Sequence, residues 1–63
     1  MDDTLQYLLS KIEDERNTLI ENLADGGVKS FEEYKYVHGV LRGLLMSEAM
    51  ILDLAKRMES SDE

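Results

Sequence analysis

The 63-residue chain has no cysteine, no proline and no tryptophan, and a single histidine. Without cysteine there is neither a disulfide framework nor a thiolate metal site. The lack of cysteine also fits a cytosolic protein. Without proline, nothing in the sequence forces a helix to stop, and most of the remaining residues are good helix formers. Basic residues are scarce: seven Lys plus Arg stand against fourteen Asp plus Glu, for a net charge of −7. That balance opposes binding to a phosphate backbone, so no nucleic-acid partner is expected. Long apolar runs are also missing. The most apolar stretch, Leu44 to Ala55, is broken by Ser47, Glu48 and Asp53. Neither a membrane span nor a signal peptide is expected. A core of this size rarely supplies more than ~3–5 kcal/mol, so such a chain leans on an oligomer or a partner.

What is present is two helical patterns and one turn. Asp25-Gly26-Gly27 marks the turn, with Gly26 suited to a left-handed cap after Ala24. Asp-Gly also marks hairpins between strands, but the flanking segments lack the alternation that strands require. Ser30-Phe31-Glu32-Glu33 has the form of a capping box, and its two acids suit the first turn of a helix. These signals predict one domain: a helix over about 4–24 capped by Asp3 or Thr4, a turn over 25–30, a helix over about 31–59 and a frayed tail over 60–63. The helices would be roughly 31 Å and 43 Å long. The fold class is all-α, an antiparallel two-helix hairpin that oligomerises into a helical bundle or docks on a larger partner.

The first helix has one apolar stripe: Leu5, Leu9, Ile12, Leu19 and Leu23, widened by Leu8 and Ile20, with Arg16 in its gap. The second helix carries two. Tyr34, Val37, Leu41, Leu44, Glu48, Ile51, Ala55 and Met58 form one seam at spacings of three and four. Tyr36, Gly39, Val40, Gly43, Ser47, Met50 and Leu54 line a second face, centred roughly 100° from the first. One shorter helix cannot cover both, so the second face, together with Met58, is the expected interaction face. Gly39 and Gly43 weaken the helix by ~1 kcal/mol each relative to Ala. Two readings explain them: close approach of a helix from another chain, or room for the first helix inside the hairpin. If Ala24 faces Phe31, Thr4 faces about Ile51 and the second helix overhangs from Leu52 to Glu59. Leu52, Leu54, Ala55 and Met58 would then be exposed, serving association more than hairpin closure. In the same register Arg16 faces Gly39 and Glu48 faces Tyr7, which makes them no intrachain pair. They would reach to the edge, or set register or partner choice across an interface.

Catalytic chemistry has no foothold in this pattern. His38 sits on a polar strip with Lys35 and Arg42 and reads as a surface residue. Lys35 occupies the position that a Glu-x-x-His di-iron motif would need. Glu13-Asp14-Glu15 point different ways around a helix and make a poor metal site. Asp25 to Ser30 lacks the spacing of a phosphate loop, and no strand precedes it. No serine has a paired base, and a hairpin can hardly enclose a cleft. The expectation is a protein that is not an enzyme and needs no cofactor.

The stretch from Glu33 to Leu44, with Tyr34, Tyr36, Gly39 and Gly43, is followed by Asp53-Leu54-Ala55-Lys56-Arg57-Met58-Glu59. Over most of the chain this resembles short helical proteins of tailed bacteriophages, in which a helix and a short turn precede a Glu-Tyr…Gly-x-x-x-Gly-Leu helix. The resemblance implies phage origin, in the virion or in the host cytoplasm, and brings no catalytic residue with it. The leading expectation is a virion or assembly accessory that oligomerises through its second helix. The alternative is a small acidic inhibitor or regulator of a host protein. A DNA-binding helix pair is opposed by the charge and by the sparseness of the Lys35, His38, Arg42 and Lys56 strip.

Overall fold

The computed structural model describes residues 1–61 and consists of two α-helices, α1 (Asp3–Ala24) and α2 (Phe31–Ser61). They pack against each other as an antiparallel hairpin. The cap of α1 lies one residue earlier than the sequence suggested. Asp2 has extended backbone angles (φ −53°, ψ 139°), and its carboxylate accepts from the N–H groups of Thr4 (2.8 Å) and Leu5 (3.1 Å). Asp3 is left inside the first turn, where a negative charge suits the helix dipole.

The far end of α1 closes with a Schellman motif. Gly26 takes φ +76°, its N–H donates to the Leu23 carbonyl, and the Gly27 N–H donates to the Asn22 carbonyl at 2.9 Å. The start of α2 is a modified capping box. Ser30 Oγ accepts from the Glu33 N–H at 3.1 Å, but the Glu33 carboxylate reaches back one residue further than usual and accepts from the Lys29 N–H at 2.9 Å. Ser60 and Ser61, expected to fray, continue α2; Asp62 and Glu63 of that tail lie outside the described residues.

The register differs from the one inferred from the turn. Arg16 lies opposite Glu48, not Gly39, and the Met1 amino group is 4.0 Å from Glu59 Oε1. Most of the extra length of α2 therefore lies past the turn end of α1 rather than past its free end. The cause is the connection. After the Gly26 cap, Gly27 to Ser30 are not helical, so α2 begins well beyond the end of α1. Phe31 is 71% exposed, and Val37 is the first half-buried residue of α2. Tyr34, expected in the seam, is exposed instead and stacks on Phe31 with ring centroids 6.4 Å apart.

At the free end, Ala55 is buried (6% exposed) and so is Leu5. This corrects the expected overhang. Leu52 and Leu54 are exposed because they lie to the sides of the seam, whereas Met58 lies beside Met1 and Asp2 at the start of α1. The seam itself runs through Leu5, Leu9, Ile12, Arg16, Leu19 and Leu23 of α1 and through Val37, Leu41, Leu44, Glu48, Ile51 and Ala55 of α2. The result is a rod of 51 × 16 × 12 Å. Its radius of gyration is 14.9 Å, against about 11 Å for a compact domain of this length.

Candidate interaction face

The hairpin leaves most of its large apolar side chains in solvent. Among the hydrophobic side chains of the described residues only Leu5 and Ala55 are buried, and neither is sealed from solvent completely. The accessible surface is 5049 Å², whereas a folded monomer of this mass exposes about 4,100 Å². Most of the exposed large apolar side chains belong to α2.

The residues singled out on the second face of α2 fall into two groups. Tyr36 (74% exposed), Met50, Leu54 and Met58 are open to solvent. Val40 and Ser47 are half-buried at the edge of the seam. Gly39 and Gly43 are exposed, and a Cβ built on either meets nothing within 4 Å. The glycines are therefore not making room for α1, and that reading of them is set aside. Ser47 lends no polarity to the face that the helix has not already satisfied, since its Oγ donates to the Gly43 carbonyl at 2.9 Å. Alongside this face runs the flank of α1 that carries Asn22. Asn22, Gly27, Val28, Glu32 and Tyr36 line one shallow groove between the helices. Leu8, two heptads before Asn22, belongs to the same flank and is exposed.

Met46, exposed next to the glycine face, and Leu45, exposed beside Leu52 on the opposite flank of the seam, belong to no surface expected from sequence. In the observed register α1 covers only the seam of α2, which leaves both sides of α2 open at these positions.

Arg16 and Glu48 correct another expectation. They form an intrachain pair, with Arg16 Nη1 donating to Glu48 Oε2 at 2.9 Å. Glu48 is buried (7% exposed), and its Oε1 has no hydrogen-bond partner among the described residues. Arg16 keeps an edge to water.

His38 is exposed and lies beside the Tyr34 ring, at 6.0 Å between centroids. Among the described residues no three His, Asp or Glu side chains gather as a metal ion would need. No described helix is long and apolar enough to cross a membrane. Compared with known proteins, the chain matches no family model, no curated sequence and no solved structure.

Proposed function

We propose that this chain is a non-catalytic interaction protein that works by presenting one side of a helical hairpin to another helical surface. The observation that carries the reading is the second face of α2. Tyr36, Met50 and Leu54 are exposed in a row, with two open glycines between and beside them. A row of this kind on an isolated small domain marks a contact surface. The resemblance to short phage proteins makes a virion or assembly accessory the leading role. The net charge of −7 favours a second reading, an acidic inhibitor or regulator of a host protein.

Quantitative proteomics of purified particles, beside affinity capture from infected cells with the full chain, tests both. Stoichiometric copies per particle are expected for a virion component. A chain absent from particles and bound to one host protein would favour the regulator. A chain that is absent from particles and captures nothing, in either a homotypic or a heterotypic complex, would overturn the interaction reading.

A further inference from the structure

We infer that the occupant of the α2 face is a second copy of this chain, with the two α2 helices paired antiparallel about a two-fold axis near Gly43 and Ser47. This rests on the interaction reading above and names the partner. Three observations on the same face carry it.

The first is area. The hairpin exposes 5049 Å², about 900 Å² more than a folded monomer of its mass. A standard protein interface removes about 800 Å² from each partner. The surplus is of the size that one such contact removes from each partner.

The second is shape. Positions 36, 40, 43, 47, 50 and 54 alternate spacings of four and three. In an antiparallel pair centred on this row, Tyr36 meets Leu54, Val40 meets Met50 and Gly43 meets Ser47 of the other copy. Large residues meet large ones at both ends. The small ones meet at the centre, where the backbones approach most closely. An isologous contact requires this kind of self-complementarity. The apolar centres of the two α2 faces lie roughly a right angle apart, which is the geometry of a helix at the corner of a four-helix bundle.

The third is charge. The next layer outward on each side places Glu33 opposite Arg57, with opposite signs facing. A parallel pair would place Glu33 on Glu33 and Arg57 on Arg57. The antiparallel arrangement also sets the two helix dipoles head to tail. Both side chains are exposed in the single hairpin and already hold local bonds, Glu33 to the Lys29 N–H and Arg57 to Asp53 at 2.8 Å. They are thus ordered before a second copy arrives.

The test uses the full chain. Sedimentation equilibrium from micromolar to millimolar concentration is expected to show twice the 7.2 kDa chain mass at the upper end. Gly43→Leu is expected to weaken that association roughly ten- to a hundredfold by overpacking. Because nothing in the single hairpin lies near a Cβ at Gly43, the helical circular dichroism of the variant should be retained. The absence of cysteine allows orientation to be read directly. When Tyr36→Cys and Leu54→Cys chains are mixed in a glutathione buffer, the mixed disulfide should dominate. Two copies of the Tyr36 site would be about 27 Å apart along the antiparallel pair, and a disulfide spans no more than about 7 Å between Cα atoms. Three results would each overturn the inference: a single-chain mass throughout, Gly43→Leu associating like the parent, or preferential linkage of the Tyr36 site to itself. A strictly monomeric chain that captures a stoichiometric foreign partner would overturn the pairing and leave the interaction reading standing.

Discussion

Arg16 and Glu48, 32 residues apart in the chain, meet across the hairpin at 2.9 Å. Each occupies a position on its helix where the heptad pattern calls for an apolar residue. An apolar stripe alone fixes register poorly, because sliding one helix by a heptad restores much the same contacts. The pair removes that freedom. A slip by one heptad would set Arg16 against Leu41 or Ala55 and Glu48 against Leu9 or Leu23, with no counter-ion. A buried polar pair of this kind trades stability for specificity, its best-attested use in helical assemblies.

Removing one partner should therefore cost more than removing both. Arg16→Met leaves the Glu48 carboxylate buried with both oxygens unpaired, and a loss of about 3 kcal/mol is expected. On a hairpin of this size that approaches the whole folding free energy. The double variant Arg16→Met/Glu48→Leu should regain most of the loss. Urea unfolding followed by circular dichroism, at one fixed chain concentration, measures all three. Equal stability of the single and double variants would show that the pair does not act as a unit.

The free end of the hairpin is a closed part of the structure, and this changes what a truncation should do. Ala55 and Leu5 are the buried apolar residues there. Deleting everything after Ile51 should unravel the first turns of α1 as well as shorten α2. Leu5→Ala, which removes one side of the same contact, should cost roughly 2 kcal/mol or more. Amide hydrogen exchange across Asp3 to Leu9 would report both effects. Unchanged protection there after truncation would mean that α1 ends are held by something other than Ala55.

The sequence made the two helices legible because each signal was local. The Gly26 cap, the Ser30 cap and the spacing of Leu5, Leu9, Ile12, Leu19 and Leu23 depend on residues within a turn or two of one another. The pairing of Arg16 with Glu48 was not local. It depended on how far Gly27 to Ser30 carry the chain before α2 starts, and a few unwound residues shift the opposite helix by more than two turns. The openness of Gly39 and Gly43 was hidden for the same reason. Which side of α2 faces α1 follows from the packing of the seam, whereas the composition of the second face left both sides as candidates.

The caps offer a separate check on the two helix starts. Asp2→Ala removes an acceptor used by two N–H groups, and Ser30→Ala removes one used by Glu33. Each should destabilise by about 1 kcal/mol. Asp2→Asn should be nearly neutral, since its side-chain carbonyl oxygen accepts the same bonds. Thermal melts at matched concentration would separate these. A loss from Asp2→Asn as large as from Asp2→Ala would point to the dipole charge of Asp2 rather than to its hydrogen bonds.

The glycines should respond in opposite directions. Gly26 holds φ +76°, which costs an L-residue roughly 1–2 kcal/mol, so Gly26→Ala should destabilise although nothing lies within 4 Å of the new methyl. Gly39 sits in the interior of α2 with ordinary helical geometry and equally open surroundings. Gly39→Ala should stabilise the hairpin by up to ~1 kcal/mol through helix propensity alone. Measured in dilute solution, where the single hairpin is read, the pair of variants isolates backbone conformation from packing. If Gly39→Ala were as damaging as Gly26→Ala under those conditions, α1 or the turn would have to lie closer to Gly39 than the hairpin places them.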